Sequence, residues 1–105
     1  MECAEEVLPD MLSKAGEAAG LLRLLGNEKR LLVLCHLVEG EMGVGALAEA
    51  VGLSQPALSQ HLALLRESGL VATRREAQAI LYRLADPRAA EVLHLLHRLF
   101  CAPAQ

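Results

Sequence analysis

Apolar residues recur at helical spacing along the first quarter of the chain. Ala4, Val7, Leu8, Met11, Leu12, Ala15, Ala18, Ala19, Leu22 and Leu25 return every three to four positions, the period of a one-sided helix. Pro9 interrupts the series, so the ordered helix is expected to begin near it, where a first turn tolerates proline. Gly26-Asn27 then ends one helix and starts another: glycine is a natural C-terminal stop and asparagine a good N-cap. The second helix is expected over Glu28–Val38, with Arg30 on its polar side. Glu39-Gly-Glu-Met-Gly43 reads as a turn.

The strongest pattern lies in residues 43–69. Val44, Leu47, Ala48 and Val51 form a short amphipathic helix, and Gly52 turns the chain. Ser54 caps the next helix, with Pro56 in its first turn. Leu58, His61, Leu62 and Leu65 share one stripe of that helix, while Gln55, Ser59, Gln60 and Ala63 face elsewhere. A small residue, a glycine four positions later and an apolar anchor six beyond it are the rhythm of a helix-turn-helix, in which two helices cross closely. Ser68-Gly69 ends the second of them. Leu70–Arg75 and Ala79–Leu84 read as strands around Glu76-Ala-Gln78, a β-wing. Asp86-Pro87 opens a final helix that runs to about Cys101. The expected architecture is mainly α with a small β-hairpin: a winged helix-turn-helix in the order α-α-α-α-β-β-α, with residues 1–105 as a single domain.

Composition adds a constraint. The chain has 105 residues, 53% of them hydrophobic, with one Phe, one Tyr and no Trp. Its core must be built from Leu, Val and Ala, which suits helices. A helical chain this short often completes its core by dimerising. No apolar run approaches a membrane span. Met-Glu-Cys-Ala-Glu-Glu lacks the basic and apolar regions of a signal peptide, so a cytoplasmic setting without membrane association is expected, where structural disulfides are rare. The net charge is −3, yet its distribution favours a phosphate partner. Residues 1–50 hold nine acids and four bases, and residues 51–105 hold four acids and six bases. Four of those six, Arg66, Arg74, Arg75 and Arg83, lie close to the expected reader, and the local field outweighs the total.

Two groups of residues carry candidate chemistry. Gln55, Ser59 and Gln60, with Pro56 in the same first turns, are placed to reach base edges in a major groove, where glutamine suits adenine; the alternative is an ordinary solvated face. Arg66, Arg74, Arg75 and Arg83 are candidates for phosphates, which position a protein without reading sequence. His61, on the apolar stripe, reads as structural. The second group is Cys35 and Cys101, each inside an apolar run. Two buried hydrophobes are the plain alternative, and a redox pair the sharper one. His97 lies one turn before Cys101, Arg98 beside it. His94, His97 and Cys101 also fall on one helix face, and with Cys35 they offer a Cys₂His₂ zinc set as a competing reading. There is no Cys-x-x-Cys, nucleotide loop, Gly-x-Ser-x-Gly or paired-carboxylate signature, so neither an enzyme nor a bound cofactor is expected.

Leu25–Leu34, Leu47–Leu70 and Leu81-Tyr-Arg-Leu84, in this order of elements, resemble the ArsR/SmtB family of bacterial winged-helix repressors over nearly the whole chain. The resemblance implies a homodimer built on the first and last helices and bound to palindromic operator DNA. Metal-sensing members carry Cys-x-Cys in the helix before the reader, where this chain has Ala46-Leu-Ala-Glu-Ala50. Their last-helix ligands are also missing: Asp86 is present, but Arg88, Leu99 and Ala102 stand at the other positions. Cys35 and Cys101 instead resemble the thiol pair of the sulfide- and persulfide-responsive subgroup, which implies reactive sulfur species as inducer and a disulfide or polysulfide as the switch. Cys3 resembles an additional, dispensable cysteine of that subgroup. The tip Glu76-Ala-Gln78 lacks the Gly-Arg common in relatives.

Overall fold

Two adjacent basic side chains set the helical frame. The computed structural model describes residues 2–101, with side chains from residue 7 onward. Helix α1 (Glu2–Leu25) ends at Gly26, and α2 (Glu28–Val38) starts from Asn27, whose side-chain oxygen accepts the Arg30 N–H at 3.0 Å. Arg30 reaches back to the end of α1, where Nε donates to the Leu24 carbonyl at 2.8 Å and Nη2 to that of Arg23 at 3.2 Å. Lys29 reaches the other way, donating through Nζ to the Val51 carbonyl at 2.9 Å. That carbonyl belongs to the last turn of α3 (Val44–Val51). Helix C-termini leave carbonyls without intrahelical partners and carry partial negative charge, so cations suit both sites.

Gly52 takes the left-handed conformation (φ 73°) that stops α3 and turns the chain. Helix α4 (Gln55–Glu67) follows, with the Ala57 N–H donating to the Ser54 hydroxyl at 3.3 Å. Strands β2 (Val71–Glu76) and β3 (Ala79–Leu84) form the wing, and α5 (Pro87–Cys101) closes the described chain. Helix α5 begins on Asp86, whose carboxylate accepts the Arg88 N–H at 2.8 Å.

The order of elements agrees with the winged helix-turn-helix expectation, with two corrections. The stretch read as a turn contains a short strand, β1 (Met42–Gly43), which pairs with Tyr82 and Leu81. The sheet therefore has three antiparallel strands in the order β1-β3-β2. Two residues are too few to show an alternating pattern; the free edge of β3 supplies their partner. Pro9 also does not start a helix but lies inside α1. It is exposed, so the missing N–H leaves one bond unmade without ending the helix.

Among the described residues the buried core is entirely apolar. Val33, Leu34 and Leu37 of α2 meet Leu47, Ala48 and Val51 of α3 and Leu58, Leu62 and Leu65 of α4, with Leu70, Val71, Ala89 and Leu93 around them. Ala48 is buried at the crossing of α3 and α4, which a larger side chain would hold apart. The wing turns through Ala77 and Gln78, with Glu76 paired to Ala79. Ala77 has φ 54°, as two-residue hairpins demand, although the left-handed region disfavours a side chain. No described helix is long and apolar enough to cross a membrane.

Candidate nucleic-acid interface and thiol groove

Helix α4 presents its first turns to solvent. Its buried stripe of Leu58, Leu62 and Leu65 fixes which way the rest faces, and Gln55, Pro56, Ser59, Gln60 and Arg66 are all exposed. Gln55 leans over the start of α3: a Cβ placed on Gly45 would lie 3.6 Å from its Nε2. His61 is half-buried, in keeping with its place on the apolar side.

The wing divides its arginines between two faces. Residues paired across antiparallel strands share a face, and faces alternate along each strand. Arg74 pairs with Leu81 and Ala72 with Arg83, so Arg74 and Arg83 share the outer face. Arg75 pairs with Ile80, on the face that farther along carries buried Val71. Both Arg75 and Arg83 are exposed and form no ion pair among the described residues. Arg74 is engaged. Its Nε donates to Glu41 Oε2 at 2.8 Å and its Nη2 to Oε1 at 2.9 Å, with Glu76 3.7 Å away. The Arg74 hydrogen bonds hold the Glu41 carboxyl below the usual carboxylate range. Nothing in the sequence pattern announced this pair, because its members lie 33 residues apart and meet through the unforeseen β1.

The two thiols come together. Cys35 faces away from the core side of α2, and Cys101 ends α5. They line one groove of about 310 Å³, whose walls are Leu31, Leu32, Leu93, Leu96, His97 and Phe100. Both are free and exposed. Partial burial pushes the Cys35 thiol above its ordinary value, and the neighbouring Cys101 adds to the shift. An adjoining groove of about 280 Å³ joins Cys35 to Glu39, His94 and His97, without Cys101. The competing Cys₂His₂ set is thus divided between two grooves. Among the described residues no group of three or more His, Cys, Asp or Glu is placed to hold a metal ion. Arg98 lines neither groove. Cys3 lies outside the residues whose side chains are described.

A small crossing of α3 and α4, an exposed polar face on α4 and an antiparallel wing define a winged helix-turn-helix regulator. The comparisons with known proteins agree. The profile of the bacterial regulatory proteins of the arsR family matches residues 27–73. The biofilm growth-associated repressor of Xylella fastidiosa is 48% identical over 93 residues, covering 89% of this chain and 82% of that protein. The transcriptional activator HlyU of Vibrio cholerae is 46% identical over 98 residues, covering 93% and 91%. The crystal structure of the transcriptional repressor BigR from Xylella fastidiosa superposes with a TM-score of 0.84 at 47% identity, covering 90% of this chain and 97% of that one. The chain belongs to the arsR family, and it is a regulator of transcription rather than an enzyme.

Proposed function

We propose that this protein is a cytoplasmic, homodimeric transcriptional repressor whose whole chain, residues 1–105, serves as one DNA-binding domain. It holds a palindromic operator while Cys35 and Cys101 are reduced and releases it when reactive sulfur species join them. The observation that carries this reading is the shared groove: two thiols remote in sequence line one apolar cleft, close enough for one to disturb the ionisation of the other. Similarity to a named repressor supports the sign of regulation.

The chemistry follows ordinary thiol exchange. Cys101 attacks the outer sulfur of a hydropersulfide, R–S–SH, and R–S⁻ leaves as the thiol. Cys35, whose thiol burial pushes above its ordinary value, acts second. Its thiolate attacks the cysteine sulfur of Cys101–S–SH, forming a disulfide and expelling HS⁻ as hydrogen sulfide. A second R–S–SH can first extend the chain to Cys101–S–S–SH, again leaving a thiol; attack of Cys35 on the sulfur next to the terminal one then expels HS⁻ and leaves a trisulfide bridge. A direct disulfide needs Cα atoms within about 7 Å, and inserted sulfurs relax that limit.

Two routes lead from the bridge to DNA. Cys35 lies on α2, which holds α3 through the Lys29–Val51 bond. Cys101 lies on α5, whose Arg88 donates to Glu17 of α1 at 2.8 Å. The exposed apolar residues Leu12 and Leu22 of α1 and Leu99 and Phe100 of α5 supply the dimer surface. Gln55, Pro56, Ser59 and Gln60 face the bases, while Arg66, Arg75 and Arg83 face phosphates. Operator binding requires two recognition helices about 34–36 Å apart. A bridge that tilts α5 against α2 alters that separation, and a coupling of about 1–3 kcal/mol releases DNA roughly 5- to 150-fold. Intact-mass measurement beside a gel-shift assay tests this. Cys35→Ser protein is expected to bind DNA and to ignore persulfide; release of DNA by that variant on treatment would refute the scheme.

A further inference from the structure

The Glu41–Arg74 pair lies where a phosphate contact is expected, and the fold has little need of it. The backbone ladder between β2 and β3 pairs every residue from Val71 to Glu76, and β1 pairs with β3 through its own backbone. The ion pair spans the outer face of the sheet, from β2 across β3 to the residue before β1. Its side chains are 46% and 31% exposed. A partly exposed bidentate pair stands at the upper end of what surface pairs contribute, a modest amount that the complete strand ladders do not require. The carboxylate instead cancels charge where the wing should be most positive. Glu41 holds the Arg74 fork with both oxygens, Glu76 approaches the same guanidinium at 3.7 Å, and Arg83 shares this face. Two carboxylates therefore offset two arginines.

We infer that Glu41 is an internal competitor for DNA phosphate: it holds Arg74 in the unbound protein, and the arginine must change partners when the wing meets the backbone of a duplex. This rests on the reading that α4 and the wing face DNA. A guanidinium fork that fits a carboxylate also fits a phosphate, with the same two parallel hydrogen bonds. The exchange replaces one anion by another and leaves the sheet intact. Phosphate contacts carry no sequence information, so Glu41 sets the strength of binding to any duplex and not the choice of operator. It is a positioning residue, acting through Arg74.

The test uses full-length Glu41→Gln, Arg74→Ala and the double variant, titrated with a random-sequence duplex of about 30 base pairs, long enough for two half-sites one turn apart. Glu41→Gln is expected to bind roughly two- to fivefold more tightly at low salt, the range of an exposed ion pair removed from the competition. Its plot of log affinity against log salt is expected to steepen by up to about 0.9, one added phosphate contact. Arg74→Ala is expected to weaken binding more in the Glu41→Gln background than in the wild type. Arg74→Lys keeps the charge but loses the fork toward carboxylate and phosphate alike, so the two losses offset and affinity is expected within about twofold of wild type; it reports even where the Glu41 variant fails to fold. If Glu41→Gln and Arg74→Ala weaken binding equally, with no further loss in the double variant and unchanged salt slopes, the pair is only a strut and the proposal falls. A loss of more than about tenfold in Arg74→Lys also overturns it, since the fork's phosphate contact would then be made with no offsetting loss to Glu41. Wild-type protein that shows no salt-dependent affinity for the duplex overturns the DNA-facing reading itself, a result separable from the others.

Discussion

Helices α4 and α5 are near equals in length and opposite in finish. Helix α4 buries Leu58, Leu62 and Leu65 completely or nearly so within its own chain and turns polar residues outward. Helix α5 buries only Ala89 and Leu93, then continues with Leu95, Leu99 and Phe100 in the open, the last 81% exposed. Helix α4 is completed within one polypeptide. Only the first half of the last helix enters the buried core; the second half lines the thiol groove with α2 on one side and leaves exposed apolar surface on the other. On the proposed reading this is a useful division: the part that meets DNA is complete within one chain, while the part beside the thiols leaves apolar surface for a second one.

The largest effect that would sharpen this contrast comes from truncating each helix in turn. Leu62→Ala is expected to lower unfolding stability by about 2–5 kcal/mol, the usual range for a buried leucine. Leu99→Ala, 65% exposed, is expected to stay within about 0.5 kcal/mol in dilute monomer. Denaturant titration of both checks the ordering, and equal losses would erase the distinction. Next in size, Phe100→Asp is expected to shift sedimentation from dimer toward monomer with unchanged far-ultraviolet circular dichroism. An unaltered dimer would remove α5 from the interface.

The helix starts give a smaller and more diagnostic pair. Removing either cap, by Ser54→Ala or Asp86→Ala, is expected to cost about 1 kcal/mol at neutral pH. Only the second should depend on acid. Hydrogen bonds from the Arg88 side chain hold the Asp86 carboxyl below 3.8, its unfolded value. Its contribution is therefore present above that value and lost as pH falls through the lower folded one. Stability measured from pH 7 down to pH 2 should show the Asp86→Ala deficit shrinking and the Ser54→Ala deficit flat. The smallest effect concerns Cys35. Burial is the larger cause of its raised value and Cys101 the lesser, so Cys101→Ser should speed alkylation of Cys35 at pH 8 only modestly. A large acceleration would make the neighbouring thiol the dominant influence.

What was legible in the sequence follows the range of the interactions involved. Asn27, Gly52, Ser54 and Asp86 act on backbone groups a few residues away, so the helix boundaries they set could be read directly. The polar face of α4 was equally plain, because the leucine stripe fixes the rotation of the helix. The division of the wing arginines was hidden, since it depends on a register decided by a two-residue turn at Ala77. The Glu41–Arg74 pair was hidden too, as it forms only across a strand of two residues. The cysteine pairing was suggested by family resemblance alone. Its setting, with Leu31, Leu32, Leu96 and Phe100 converging from two helices, is a property of packing that periodicity does not express.

Lys29 and Arg30 are neighbours in sequence, yet each fastens a different helix to the start of α2. The first turn of α2 thus works as an axle with a wheel fixed at either side. Rotation of α1 against α2 strains the Arg30 bonds, and rotation of α3 against α2 strains the Lys29 bond. Lys29→Gln is expected to loosen α3 from α2 while leaving the Arg30 joint to α1 intact, which faster amide hydrogen exchange confined to α3 would register.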